Sequence, residues 1–269
     1  MFKKITALVL GLMTVFLCGC SSDNTEIIES NTTVIRPYDV CIKFSDGLTV
    51  EEYAKILEEN NVCSATEFLS AVNNTTVSDY WFLSEIQNQQ NRPFLLEGYL
   101  YPDTYEFRYN SDAETVIKIF LDNFNKQITD EYKSRAQELG YSIDEVLTIA
   151  SIVREEAVDS ELKNVSSVIH NRLNSDYGKL ECDVTIFYLN NHVAPYAADI
   201  SRFKALYNTY EVKGLPEGPI TNVSTDAIKA ALYPAESDYY FFVYDNERNY
   251  YYAETWKEHS ANVNKYYKK

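Results

Sequence analysis

The segment Ser142-Ile-Asp-Glu-Val-Leu-Thr-Ile-Ala-Ser-Ile-Val-Arg-Glu-Glu-Ala-Val158 decides the fold, because it is a mostly apolar helical run that ends near two adjacent carboxylates. Ser142 and Glu145 have the spacing of a capping box, which marks the start of a helix. Neighbouring residues on a helix are rotated by about 100°, so Glu155 and Glu156 point in different directions. Glu155 continues a polar stripe that we expect to be weakly exposed, whereas Glu156 continues the apolar stripe. The pattern therefore predicts a helix with Glu156 on its inward face.

A carboxyl group on an apolar face has unusual acid–base chemistry. Burial disfavours its charged form, so we expect the pKa of Glu156 to rise towards neutrality. Such a group keeps its proton at physiological pH and is suited to act as a general acid. The structural alternative is a buried glutamate paired with an Arg or Lys, because structural ion pairs also perturb carboxyl pKa values. The helical pattern leaves both interpretations open.

The first residues have the organisation of an export signal. Two lysines precede an apolar run over residues 5–17, which ends in Leu17-Cys-Gly-Cys20. The apolar run is too short for a membrane-spanning helix and fits a signal peptide over residues 1–19. The ending resembles the bacterial lipobox, which implies cleavage before Cys20 and lipidation of Cys20. We therefore expect a lipid-anchored protein on the extracytoplasmic face of the cell membrane, with a short uncleaved anchor as the alternative.

Composition narrows the classes of partner and cofactor. Residues 20–36 are polar without apolar periodicity, which predicts a flexible tether. The formal net charge of −16 argues against nucleic acid and against a polybasic contact with anionic lipid. The cysteines and histidines match no zinc pattern, so we predict no metal and no cofactor. A disulfide between Cys41 and Cys63 is left open, because small buried thiols are also common.

The rest of the chain alternates helical and strand patterns. A strand over residues 38–44 precedes two short capped helices, which together predict a compact strand–helix–helix module over residues 37–76. Four further helical segments follow, starting near Glu114, Asp130, Ile143 and Glu161, the first with Ser111 and Glu114 as its cap. A hairpin over residues 239–253 and a final capped helix complete a larger domain over residues 77–269. The fold class that these patterns predict is α+β.

Several motifs, in order, resemble the YceG-like endolytic murein transglycosylases. They are Leu96-Glu-Gly-Tyr-Leu-Tyr-Pro-Asp-Thr-Tyr105, Ala150-Ser-Ile-Val-Arg-Glu-Glu-Ala157, Asn171-Arg-Leu173, Tyr207-Asn-Thr-Tyr210 and Gly214-Leu-Pro-Glu-Gly-Pro-Ile220. The resemblance extends over residues 37–269. It implies that the front module is LysM-like and that the larger domain is a lytic transglycosylase catalytic domain.

The resemblance also implies a catalytic residue and a reaction. The family motif Ser-Ile-Val-x-x-Glu carries its catalytic acid onto Glu156, the residue that the helical pattern also selects. An ordinary glycosidase places two carboxylates across the scissile bond. A lytic transglycosylase instead uses the C6 hydroxyl of N-acetylmuramic acid (MurNAc) as nucleophile. Glu156 would protonate the glycosidic oxygen and then accept the hydroxyl proton, giving a 1,6-anhydroMurNAc end.

Further site residues carry over less directly. A family segment Leu-Gln-Ser-Asp-Pro-Thr aligns with Leu180-Glu-Cys-Asp-Val-Thr185 of this sequence. The alignment implies that Asp183 is a substrate-binding residue. This sequence departs from the family segment at Glu181, Cys182 and Val184. We also predict substrate contacts for Tyr207, Asn208, Thr209 and Glu97. The structural alternatives are a turn-capping role for Asp183, core packing for Tyr207 and an architectural role for Glu97.

These observations predict an enzyme that cleaves the bond between MurNAc and N-acetylglucosamine (GlcNAc) in nascent peptidoglycan strands. Peptidoglycan synthases or elongation and division proteins are the expected protein partners. The alternative is a catalytically weak murein-binding lipoprotein that scaffolds cell-wall synthesis, which the altered Glu181–Val184 segment favours. A transporter's solute-binding lipoprotein is disfavoured, because the chain lacks the βαβ alternation of two similar lobes.

Overall fold

The computed structural model describes residues 38–74 and 80–267, which combine helices with two small antiparallel sheets. The predicted α+β class is thereby confirmed. The predicted signal peptide, tether and lipidation site at Cys20 lie outside the described residues. Within the described ranges, no helix is long and apolar enough to cross a membrane.

The front of the described chain forms a strand–helix–helix unit. Strand β1 (Val40–Lys43) leads into α1 (Val50–Glu59) and α2 (Ala65–Asn74). The predicted capping box at Thr49 and Glu52 is present and starts α1. Strand β1 pairs antiparallel with β2 (Thr104–Phe107), with Val40 opposite Phe107. The unit therefore takes a second strand from beyond residue 76, and the boundary at 76 and the LysM-like interpretation stay predictions.

Four helices follow, close to the predicted segments. They are α3 (Ala113–Gln127), α4 (Asp130–Leu139), α5 (Ile143–Glu156) and α6 (Leu162–Leu173). The capping box that Ser142 and Glu145 predict for α5 is confirmed. The predicted cap of α3 is wrong by one residue, because the Asp112 side chain accepts from the Thr115 N–H while Ser111 Oγ donates to the Arg108 carbonyl.

The last part of the described chain contains shorter helices and a hairpin. Helix α7 (Asp183–Tyr188) continues into a π-helical turn over Leu189–Val193, and α8 (Ser201–Tyr207) and α9 (Thr225–Leu232) follow. The predicted hairpin is confirmed as β3 (Phe241–Tyr244) paired with β4 (Tyr250–Ala253). Helix α10 (Trp256–Tyr266) begins with the capping box that Thr255 and Glu258 predict.

Three residues of the polar stripe of α5, Asp144, Thr148 and Ser151, are buried, which corrects their expected exposure, whereas Glu155 at the end of the stripe is exposed. The Asp144 carboxylate accepts from the Tyr99 hydroxyl at 2.6 Å and pairs with Arg92. Thr148 Oγ1 donates to the Asp144 carbonyl at 2.9 Å, and Ser151 Oγ accepts from the Ile220 N–H at 3.1 Å. Distant segments bond to Asp144 and Ser151, and Thr148 bonds within α5, so each of these three buried side chains has a hydrogen-bond partner.

Two of the sequence motifs meet at a close backbone contact beside α5. Gly98 has φ +87°, and a Cβ at this position would lie 2.6 Å from Pro219 Cβ. Both the left-handed conformation and the lack of space require glycine. The Leu96–Tyr105 and Gly214–Ile220 motifs are therefore packed together next to the helix that carries Glu156.

Candidate active site

Glu156 is the last residue of α5 and is half-buried. The Tyr250 hydroxyl on β4 donates to the Glu156 carbonyl at 2.6 Å and so fixes the backbone at the end of the helix. Burial, and next the negative charge of Asp183, raise the pKa of the Glu156 carboxyl to about 7, while Arg172 opposes the shift. A carboxyl group with this pKa is able both to donate and to accept a proton near neutral pH.

The alternative of a buried ion pair does not describe Glu156. Among the described residues, no Lys, Arg or His nitrogen lies within 4.0 Å of its carboxylate. The Arg172 guanidinium acts on Glu156 from farther away. Arg172 is instead held by two carbonyl groups, with Nε donating to Tyr240 O at 2.6 Å and Nη1 donating to Leu180 O. Glu156 therefore has no fixed counter-ion that would keep it ionised.

Asp183 starts α7 and is exposed, and its charge acts on the Glu156 carboxyl. Its Oδ1 accepts from the Tyr210 hydroxyl at 2.8 Å. The neighbouring Cys182 is a buried free thiol whose Sγ donates to the Leu180 carbonyl at 3.4 Å, and its influence on the Glu156 carboxyl lowers the pKa of that carboxyl. Burial raises the pKa of the Cys182 thiol well above its usual range, so this thiol stays protonated. The neutral Cys182 thiol and the acidic Asp183 carboxylate thus both act on the Glu156 carboxyl.

The segment with Tyr207-Asn-Thr-Tyr210 holds the Asp183 segment in place. The Cys182 N–H donates to Thr209 Oγ1 at 2.9 Å, and Thr209 Oγ1 in turn donates to the Cys182 carbonyl at 3.1 Å. The Glu181 N–H donates to the Thr209 carbonyl at 3.1 Å. Asn208 Oδ1 accepts from the Tyr210 N–H at 3.1 Å, which shapes the turn that presents the Tyr210 hydroxyl. These contacts form a support for Asp183.

The predicted substrate-binding residues therefore differ in accessibility. Asp183 is exposed and Asn208 is partly exposed, whereas the side chains of Tyr207 and Thr209 are buried. Glu97 is fully buried and accepts from the Val50 N–H at 3.0 Å, Asn222 Nδ2 at 3.0 Å and the Tyr188 hydroxyl at 3.2 Å. Direct contact of these residues with substrate stays a prediction. The side chains of the three buried residues, Tyr207, Thr209 and Glu97, contact other parts of the protein.

Sequence reasoning missed Arg172 and Tyr210 as parts of the site. Both lie in motifs that carried the family resemblance, so their motif membership was the available signal. Their role depends on contacts that no local pattern encodes, namely the Arg172 bond to Leu180 and the Tyr210 bond to Asp183. The open question of a disulfide is also answered, because Cys63 is a buried free thiol.

A cavity of about 150 Å³ lies beside Glu155, the residue before Glu156. Its lining combines polar and apolar side chains with a backbone glycine: Gly47, Thr49, Glu52, Glu155, Val184, Phe187, Tyr188, His192, Ile220 and Thr221. Although Glu155 is exposed as a residue, partial burial of its carboxyl raises the pKa to about 6. Across residues 38–74 and 80–267, no group of three or more His, Cys, Asp or Glu side chains is placed to hold a metal ion.

Comparison with known proteins agrees with the resemblance in the motifs. The profile of the YceG-like family matches residues 21–265. The endolytic murein transglycosylase of Bacillus subtilis is 27% identical over 258 residues, which cover 91% of this chain and 70% of that protein. The endolytic murein transglycosylase of Streptococcus pneumoniae D39 is 30% identical over 230 residues, which cover 82% of this chain and only 40% of that protein.

The fold is also similar to a solved structure. A YceG-like protein from Listeria monocytogenes superposes with a TM-score of 0.68 at 27% identity, over 82% of this chain and 74% of that one. The family profile spans most of the chain, and the predicted motifs lie within it. The chain therefore belongs to the YceG-like family.

Proposed function

We propose that the protein is a lytic transglycosylase that cleaves the MurNAc–GlcNAc bond of nascent peptidoglycan strands. The observation that carries the proposal is Glu156, a half-buried carboxyl at the end of α5 without a counter-ion and with a pKa of about 7. The names of the relatives in Bacillus subtilis and Streptococcus pneumoniae support the same substrate and reaction.

In the proposed mechanism one carboxyl group serves twice. Protonated Glu156 donates its proton to the glycosidic oxygen as the C1–O bond of MurNAc breaks. The resulting carboxylate then accepts the proton of the MurNAc C6 hydroxyl, whose oxygen forms the new bond to C1. The product is a 1,6-anhydroMurNAc end, no water is consumed, and Glu156 regains its proton. A pKa near 7 suits both steps, because neither protonation state is then rare at neutral pH.

Asp183 is the proposed electrostatic partner of this reaction. Its exposed carboxylate is oriented by the Tyr210 hydroxyl and its charge acts on Glu156. A negative charge at this position stabilises the oxocarbenium-like character that C1 develops as the bond breaks. Asn208 is the proposed amide contact to the sugar. We propose that Tyr207, Thr209 and Glu97 mainly support the site through contacts with the protein. The glycan contacts these residues only where their atoms are accessible.

We further propose that Cys20 is lipidated after removal of residues 1–19 and that the enzyme works on the extracytoplasmic face of the membrane. The front unit is proposed to be a LysM-like contact to murein, and synthases or elongation and division proteins are the proposed partners. The anchoring part is tested by Cys20→Ala. This variant should lose the diacylglyceryl modification and should no longer partition into membranes. An unmodified wild-type chain that begins at Met1 would contradict the proposed lipidation of Cys20.

The catalytic part is tested with Glu156→Gln, which keeps the size of the side chain and removes the transferable proton. We expect the yield of 1,6-anhydroMurNAc ends from uncrosslinked strands to fall by about 10²–10⁴-fold, the range for general acid–base catalysis. The matched control is Glu59→Gln, the same change at the last residue of α1, where the side chain is exposed. It should leave turnover unchanged.

Three outcomes separate the proposal from its alternatives. Near-normal yield from Glu156→Gln would remove Glu156 from the mechanism. Reducing ends in place of anhydro ends from the wild type would indicate a hydrolase with a second carboxylate, with Asp183 as the first to examine. Binding of glycan strands without any cleavage by the wild type would support the murein-binding scaffold that the altered Glu181–Val184 segment favours.

A further inference from the structure

Phe187 on α7 is the one phenylalanine of the described residues whose side chain is exposed, at 55%. The other exposed large hydrophobic residues in the ranges 38–74 and 80–267 are tyrosines and a tryptophan, each with a polar group that water solvates. A phenyl ring has no such group, so its exposure forgoes the stabilisation that burial of apolar area gives. A single exposed apolar side chain is nevertheless common on protein surfaces, so the position of Phe187 decides what it indicates.

The position of Phe187 on α7 places its ring next to Asp183. The two residues are four apart in the helix, and side chains with this spacing lie on one face with their Cβ atoms about 5–6 Å apart. Both residues are exposed. Since the charge of Asp183 acts on the Glu156 carboxyl, a ligand that covers Phe187 also adjoins the candidate active site.

Two contacts outside α7 agree with this placement. Phe187 and Glu155 line the same cavity, and Glu155 directly precedes Glu156 at the end of α5. Tyr210, whose hydroxyl donates to Asp183 at 2.8 Å, is 41% exposed. Two exposed rings therefore lie next to Asp183, one on its own helix and one on the segment that supports it.

The polar groups near these rings have hydrogen-bonding capacity left for a ligand. No described residue hydrogen-bonds to the Glu155 carboxyl, and the adjacent Arg154 guanidinium is held by Asp159 at 2.6 Å. Asn208 is partly exposed and uses its oxygen for the Tyr210 N–H, so its amide nitrogen is left to donate. An apolar ring beside such groups matches a sugar, which has C–H groups on its faces and hydroxyl groups at its edge.

We propose that Phe187 is a stacking platform for one pyranose ring of the glycan strand, the ring next to the sugar at Asp183. In hexosamines of the gluco configuration the ring substituents are equatorial, so the faces present C–H groups that pack on the electron-rich face of a phenyl ring. The platform would hold the strand in register over Glu156 without taking part in proton transfer. That the ligand is a glycan rests on the proposed function, while the place of the platform rests on α7.

The test is Phe187→Ala together with Phe187→Tyr, which keeps the ring. For uncrosslinked strands, Phe187→Ala should raise KM about three- to tenfold with kcat unchanged, the loss expected for one ring contact made equally in the ground and transition states. Phe187→Tyr should restore the wild-type KM. Because the ring carries no charge, the midpoint of the pH profile should stay at the wild-type value in both variants.

The matched control is Tyr267→Ala, which removes a ring that is 53% exposed after the end of α10. This variant should leave KM unchanged, and the melting temperatures of all three variants should stay close to that of the wild type, because exposed side chains contribute little to stability. Direct binding of strands to Glu156→Gln and to the double variant Glu156→Gln/Phe187→Ala measures the same effect without turnover. The double variant should bind about three- to tenfold more weakly.

The outcomes separate the platform from the reaction. Anhydro ends from the wild type together with unchanged KM and binding in Phe187→Ala would overturn the platform and leave the proposed reaction standing. A fall in kcat with a shifted pH midpoint and an unchanged KM would also overturn it, because the ring would then only support α7. Binding that weakens with Phe187→Ala and is restored by Phe187→Tyr, in a protein that forms no anhydro ends, would support the platform and overturn the reaction.

Discussion

The pH dependence of turnover tests the electrostatic link between Asp183 and Glu156. A general acid must be protonated to act, so activity should fall as the pH rises through the pKa of Glu156, which is about 7. Burial is the main cause of this raised pKa and the charge of Asp183 is the next. Asp183→Asn removes the charge and keeps the shape, so the descending limb of the profile should move to lower pH.

The magnitude follows from the fraction of Glu156 that holds a proton. A carboxyl with the ordinary value of 4.5 is protonated to only about 0.3% at pH 7, whereas a pKa of about 7 gives about half. The environment thus increases the proton-bearing form by about 150-fold at pH 7. In Asp183→Asn the burial remains, so the midpoint should lie between 4.5 and about 7. Each unit of downward shift lowers activity on the descending limb by about tenfold relative to the wild type.

The assay is the initial rate of formation of 1,6-anhydroMurNAc ends at constant ionic strength, from about pH 4 to about pH 9. Dividing the variant rate by the wild-type rate at each pH separates two effects of Asp183. A loss that is constant with pH reports stabilisation of the transition state, whereas a loss that grows with pH reports the pKa of Glu156. Asp176→Asn is the control, since Asp176 is an exposed aspartate outside the site. A midpoint that is unmoved in Asp183→Asn, or a wild-type midpoint near 4.5, would refute the reasoning.

Further predictions concern stability, positioning and cofactors. Between pH 4.5 and about 7 the folded state binds more protons than the unfolded state, so Glu156 lowers the stability of the fold as the pH rises through this window. Glu156→Gln should therefore raise the unfolding free energy at high pH by up to about 3 kcal/mol and leave it unchanged at low pH. Denaturant titrations at both pH values measure this difference. Tyr210→Phe removes the hydroxyl bonded to Asp183 and should lower kcat about three- to tenfold with little change in melting temperature, because Tyr210 is 41% exposed. Turnover should survive EDTA, and loss of activity that a divalent ion restores would contradict the single-carboxyl mechanism.

Much of the helical structure was predictable because its signals are local. A capping box joins residues three apart, so Thr49 with Glu52, Ser142 with Glu145 and Thr255 with Glu258 locate helix starts without any knowledge of the rest of the chain. At α3 two adjacent residues are able to cap a helix, and the prediction chose Ser111 although Asp112 is the cap. The family motifs extended the prediction to Glu156, whose inward face the helical period also indicated.

The burial of α5 was not predictable from its own residues. Asp144, Thr148 and Ser151 form a polar stripe, and a polar stripe ordinarily faces solvent. In this fold, Tyr99 and Ile220, which lie 45 and 69 residues away along the chain from their partners, supply hydrogen bonds that make burial of the stripe favourable. The pairing of β1 with β2 has the same origin, since its partners lie more than 60 residues apart.

The amino-acid sequence by itself determined the helix starts, the choice of Glu156 over Glu155 as the inward carboxyl, and the membership of the chain in its family. The tertiary structure alone decided what surrounds that carboxyl: the charge of Asp183, the distant guanidinium of Arg172 and the buried thiol of Cys182. The physical reason is that a cap or a helical face depends on residues within one or two turns, whereas the pKa of a buried group depends on every group that folding brings within a few ångströms.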